Sequence, residues 1–167
     1  KRYEPIWFMM HKIRKAMGNR DALYKLTDMV EFDEGCFETE TDKATRTSLK
    51  RGRGSERQVN VAVMAESTPL EEITTGRKSN HCRYFKMRVL ESYLKDEINQ
   101  VIENNIAEKT IVFSDRSTSY VDISDFVEVH VTEKSSKETT IKTLPWVHIA
   151  ISNAKRTLLG IYHKIKG

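Results

Sequence analysis

Apolar and polar residues follow two periods along this chain, and the switches between them mark out its elements. Ile6, Met9, Met10, Ile13 and Met17 recur at helical spacing behind Pro5, predicting a helix over about residues 5–17 that stops at Gly18. His11, Lys12, Arg14 and Lys15 occupy its other side, which suits a phosphate backbone or a solvated face on a packing helix. Val30 to Phe37, VEFDEGCF, alternates as a strand does, with Glu31 and Asp33 on one face and Val30, Phe32 and Glu34 on the other. VNVAVMAE, Val59 to Glu66, predicts a second strand with Val59, Val61, Val63 and Ala65 on one face, and His81 to Leu90 a third. Leu94, Ile98, Val101, Ile102 and Ile106 return to helical spacing, giving a crossover helix over Tyr93 to Ala107. TIVFSD then reads as a short buried parallel strand ending at Asp115. A short helix over Tyr120 to Phe126, a strand over Val127 to Thr132 and a polar linker over Glu133 to Thr143 follow. The last helix starts at Pro145, with Val147, Ala150, Ile151, Ala154, Leu158, Ile161, Tyr162 and Ile165 in one stripe facing the core.

This order predicts an α/β fold: a five-stranded mixed sheet, three antiparallel strands and then parallel ones, flanked by helices. At 167 residues the chain has the size of one domain, residues 1–167, burying roughly 70% of its unfolded surface. The net charge of +4 is modest, so its distribution matters more than its sum. Thr39 to Arg57 is polar throughout and ends in Lys50, Arg51, Arg53 and Arg57 among glycines, a mobile basic connector suited to phosphate contacts or merely solvated. The two cysteines, Cys36 and Cys82, show neither metal spacing nor a disulfide framework, which points to a reducing, intracellular compartment. IWFMM is too short for a signal-peptide core or a membrane span, so no membrane partner is expected. Starting at Lys1 without Met and stopping at Gly167 inside an amphipathic pattern, the chain is expected to be part of a longer protein.

The candidate chemistry begins with Asp33. A carboxylate in a buried strand costs several kcal/mol unless it is paired or holds a metal. An edge strand with exposed acids is the plainer alternative for the same stretch. Asp115 stands at the C-terminal end of a predicted parallel strand, where open α/β sheets place their ligands. A carboxylate on each of two strands under a long helix is how two-metal phosphoryl-transfer sites are assembled. Asn153 falls off the apolar stripe of that helix and shares a ridge with Arg156, Thr157 and Gly160, while His148 and Lys155 lie on the opposite flank.

The motifs VEFDEGCF, KRGRGS, FKMRVL, SDRSTSY and LPWVHIAISNAKRTLLGIYH, spanning about Ile6 to Gly167, resemble those of bacterial insertion-sequence transposases of the ISXO-like DDE group, which have a ribonuclease H-like fold. The resemblance implies that Asp33 and Asp115 are the catalytic aspartates, and that Asn153 stands where the family has Glu or, in one branch, Asn. Lys155 then matches the lysine accompanying that Asn branch. It further implies two Mg²⁺ or Mn²⁺ ions, Asp33 bridging both, Asp115 holding one and Asn153 the other. Lys155, Arg156, Lys50, Arg51, Arg53 and Arg57 would meet phosphates. The expected activity is DNA cleavage at element ends and strand transfer into target DNA by a homodimer or larger synaptic oligomer, in the bacterial cytoplasm at the nucleoid. A ribonuclease H-like nuclease that cuts without joining, and an inactive DNA-binding remnant, are the alternatives. Full-length members carry an N-terminal zinc-ribbon-like segment and continue beyond the final helix.

Overall fold

The computed structural model describes residues 2–39, 57–68, 82–92, 94–120, 122–134, 136 and 143–162, except for the side chains of Thr68 and Tyr162. Lys50, Arg51 and Arg53 of the basic connector lie outside the described residues. The elements are α1 (Tyr3–Asp21), β1 (Leu26–Glu38), β2 (Gln58–Thr68), β3 (Tyr84–Leu90), α2 (Lys95–Asn105), β4 (Ile106–Asp115), β5 (Val129–Glu133) and α3 (Pro145–Tyr162).

Five strands form one mixed sheet in the order β3-β2-β1-β4-β5. β1, β2 and β3 pair antiparallel, while β1–β4 and β4–β5 pair parallel, which is the arrangement of a ribonuclease H-like fold. β1 is therefore central, and the edge-strand alternative for Asp33 is excluded. The ends of the β1–β2 connector are closed by the Thr39 N–H donating to the Arg57 carbonyl at 2.8 Å.

The alternation of β1 and β2 divides the core between the two sheet faces. Leu26, Val30, Phe32, Ala62 and Met64 face α2, where they pack with Ile98, Ile102, Val112, Tyr120 and Ile123. Val63 and Ala65 face the other way, against Val147, Ala150 and Ile151 of α3. Both sides of β2 are thus buried, the condition of a strand between two layers.

Several boundaries differ from the sequence reading. Ile106 opens β4 instead of closing the crossover helix, because it pairs with Leu26 and is buried with the strand core. The short helix expected over Tyr120 to Phe126 is two 3₁₀ turns, Thr118–Tyr120 and Ile123–Asp125. β3 is Tyr84–Leu90, within the strand expected over His81 to Leu90, and Lys86 in it is buried. The α3 stripe thins towards its end: Val147, Ala150 and Ile151 are buried, Ala154 and Leu158 half-buried, and Ile161 exposed. α1 runs on to Asp21 past Gly18, and it buries no residue at all, contrary to the expectation of a packing helix. Among the described residues, no helix is long and apolar enough to cross a membrane.

Candidate active site

β1 and β4 run side by side in register, with Val30 opposite Val112, Glu31 opposite Phe113 and Phe32 opposite Ser114. Each strand's next residue is an aspartate, Asp33 on β1 and Asp115 on β4. Since paired residues in a parallel ladder share a face and successive ones alternate, both carboxylates leave the sheet on the side covered by α3. The Asp33 carboxyl is held above the usual carboxylate range mainly by burial, with the Asp115 charge adding to the rise. The Glu34 N–H, His148 and Lys155 pull in the opposite direction. The Asp33 Oδ1 accepts from that N–H at 2.8 Å, and the His148 Nε2 lies 3.6 Å from Oδ2.

Two features of β1 bring α3 down onto this spot. Gly35 lies against Ile151: a β-carbon there would meet the Ile151 side chain at 3.3 Å and the Phe37 ring at 3.1 Å, tighter than ordinary contact, so glycine lets the helix sit close without displacing either side chain. Glu31, buried on the same face as Asp33, accepts the Trp146 and Val147 N–H groups at 2.7 and 2.9 Å through one oxygen, Oε2. A helix N-terminus carries unsatisfied N–H groups and partial positive charge, and α3 has no acidic residue in its own first turn. A strand carboxylate thus supplies the cap. Burial pushes the Glu31 pKa up to about 7 despite the two N–H groups that favour its charge.

With α3 seated, its flanks sort the expected site residues. His148 and Lys155 are seven residues apart, about two helical turns, and both act on Asp33. The Lys155 Nζ also stands 5.7 Å from the centre of the Phe37 ring. Asn153 comes two residues after Ile151, about 200° round the helix, so it points away from the Gly35 contact. It is exposed, as are Arg156 and Lys155. Arg57, at the end of the basic connector, is half-buried. The structure therefore brings Asp33, Asp115, His148 and Lys155 towards one another and leaves Asn153 on the outer side of α3.

The opposite face of the sheet braces the same strand ends. The Ser114 hydroxyl donates to the Asp115 carbonyl at 2.9 Å, so its oxygen is left to accept from the His130 Nε2–H at 2.8 Å. Burial lowers the pKa of His130, disfavouring the charged ring. Tyr120 packs edge-on against Phe32, with ring centroids 5.2 Å apart. Its pKa is raised by burial and by the charges of Glu34, Asp33 and Asp115, and its hydroxyl is bonded to Glu34. These supports escaped the sequence reading. The motif LPWVHIA had carried His148, but nothing local to Ser114, His130 or Glu31 announced a partner 16 or 115 residues away.

Asp33 and Asp115 present hard oxygen donors, the kind Mg²⁺ and Mn²⁺ select. Among the described residues, no three His, Cys, Asp or Glu side chains are gathered into a metal-holding group.

A family model described as the ISXO2-like transposase domain matches residues 25–167, from just before β1 to the end of the chain. No curated protein and no solved structure matches the chain.

Proposed function

Because the chain belongs to the ISXO2-like transposase domain family, we propose that it cleaves DNA at element ends and joins the freed 3′-hydroxyl to target DNA in a divalent-metal-dependent reaction. The observation that carries this reading is the placement of Asp33 and Asp115 one register step beyond the Phe32–Ser114 pair, on the face covered by α3. These two side chains would hold Mg²⁺ or Mn²⁺. Bound there, the ions would supply Lewis-acid stabilisation of the scissile phosphate and a deprotonated oxygen nucleophile.

The chain's own contribution is placement and charge. Burial, with a smaller addition from the Asp115 charge, holds the Asp33 carboxyl above the usual carboxylate range, and cations would offset both effects. His148 bears on Asp33 from α3, its Nε2 lying 3.6 Å from Oδ2. Lys155, one helical flank with His148, places an ammonium where a DNA phosphate would lie. Arg57, Arg156 and, from the connector sequence, Lys50, Arg51 and Arg53 would supply charge for backbone phosphates. No serine or cysteine nucleophile is required.

The test is a Mn²⁺-supplemented reaction of the chain with a supercoiled plasmid carrying the gene and its flanking DNA. Nicking and joined products are expected from the native chain and not from Asp33→Ala or Asp115→Ala. Cleavage without joined products would favour the nuclease alternative. DNA binding that is indifferent to Mn²⁺, without cleavage, would favour the inactive remnant, a reading that the outward position of Asn153 supports.

A further inference from the structure

Beyond its contact with Gly35, α3 stands over a cavity of about 270 Å³ that it does not fill. Phe37 of β1, Val59 and Val61 of β2 and Met87 of β3 line it from the sheet, and Ala154 and Leu158 from the helix. The register explains why these side chains meet. Phe37 pairs with Val59 and Met87 with Val63, and paired residues share a sheet face, here the one that α3 covers. Ile151 is buried against that face, but the next residue of the stripe, Ala154, offers a single methyl group and leaves the space before Leu158 open.

This apolar recess has cations beside it. The Lys155 Nζ stands 5.7 Å from the centre of the Phe37 ring, and the same lysine acts on Asp33. Thr39, which also lines the cavity, donates its N–H to the Arg57 carbonyl at 2.8 Å, setting Arg57 next to it. Glu38, exposed, adds a carboxylate to the lining. An aromatic and aliphatic recess with an ammonium at its mouth matches a ligand that joins a flat apolar ring to an anion. A nucleotide has that composition, and single-stranded nucleic acid is held in just this way, by apolar and aromatic side chains under the bases and cations along the backbone. An aliphatic side chain of a protein partner would use the recess and leave the cations without a role.

We infer that the cavity takes one unstacked nucleobase of the DNA strand bound at Asp33 and Asp115, its ring packed against Phe37, Val61 and Leu158 and its phosphate towards Lys155. Phe37 follows Asp33 by four residues on the same face, about 13 Å along the strand. At ~3.4 Å per nucleotide of B-form strand, that is a reach of a few nucleotides from the aspartates. A base within a duplex is stacked on both sides and cannot enter, so the occupant comes from a strand that is open near the cut. The inference rests on the reading of DNA as substrate and adds to it a contact with a base, where the cations alone would hold only phosphates.

The experiment is fluorescence anisotropy in chelator with two labelled single strands of about 10 nucleotides and equal charge, one of mixed sequence and one abasic throughout. The native chain should bind the mixed-sequence strand about tenfold more tightly, the effect of one well-stacked base. Ala154→Leu, which narrows the cavity, and Leu158→Gln, which makes its wall polar, should each reduce that preference below about twofold and leave the affinity for the abasic strand unchanged. Both positions are half-buried, and thermal melting checks that each variant is folded. Lys155→Gln should weaken both strands alike, as loss of a phosphate contact does. Equal affinity of the native chain for the two strands would overturn the inference and leave the DNA reading intact, as would a preference that survives both Ala154→Leu and Leu158→Gln. Failure of both strands to bind would overturn it too, and a duplex of the mixed sequence, titrated alongside, then reports whether the DNA reading falls with it.

Discussion

α1 and α3 are helices of 19 and 18 residues, each with an apolar stripe of the same period, yet α3 covers the sheet while no residue of α1 is buried among the described residues. The difference lies in what the sheet offers. Beneath α3, β1 provides a residue without a side chain, Gly35, where the helix approaches, and a carboxylate, Glu31, where its N–H groups emerge. For α1, β3 offers only ammonium and guanidinium groups that grip its last turn. A helical stripe shows that a face calls for cover; the complementary strand residues decide whether its own sheet supplies it.

The contrast is broken or sharpened first by placing a charge on each stripe. Val147→Asp, at a fully buried position of α3, should cost more than about 4 kcal/mol and abolish cooperative unfolding in urea, whereas Met17→Asp on α1 should cost less than about 0.5 kcal/mol. Equal losses would mean that α1 packs on the domain after all.

Next in size is the cap. The folded-state pKa of Glu31, raised to about 7 from 4.5, means that the folded chain keeps a proton the unfolded chain releases. Its contribution to stability is full below pH 4.5 and is lost as the pH rises through 7, about 3 kcal/mol in all. Glu31→Gln keeps an acceptor oxygen for Trp146 and Val147 but removes the titration. Urea unfolding in chelator should therefore show the variant gaining on the native chain by about 3 kcal/mol between pH 4 and pH 8. A constant difference would show that the carboxylate does not titrate in this range.

Gly35→Val should cost roughly 1–3 kcal/mol, because the added methyl groups must push Ile151 and Phe37 aside. It should also lift His148 from Asp33, so the NMR chemical shifts of the His148 ring should change. An unaltered signal would show that α3 is seated by its cap alone.

Smallest is the effect expected at Asn153. Asn153→Ala should change stability by less than about 0.5 kcal/mol and leave Mn²⁺ affinity by calorimetry within about twofold, since the residue faces outward. A tenfold loss would instead show that α3 turns about its axis to bring the carboxamide over the aspartates.

Much of this arrangement was legible beforehand because it depends on local periods. Alternation alone placed Glu31 with Asp33 and Val61 with Val63 and Ala65, and the structure keeps both groupings. The adjacency of Asp33 and Asp115 followed from an expected parallel pairing that the register now shows directly. What escaped notice depends on distant partners. The burial of Lys86 needs the carbonyls at the end of α1, and Ile106 joins a strand because Leu26 waits beside it. Helical spacing likewise made α1 and the end of α3 look equally suited to a core, since period carries no information about the surface opposite.

The position of the two aspartates has a mechanical consequence. Adjacent strands keep a spacing of about 4.8 Å through their hydrogen-bond ladder. The separation of the two carboxylate-bearing backbones is therefore a property of the sheet, and of no side-chain contact that a single substitution could remove. The chain between them can lengthen or change sequence in its loops without altering that distance, provided β1 and β4 stay paired. A gauge stamped into the backbone lets the surroundings of such a centre drift while the interval between its two acids stays constant.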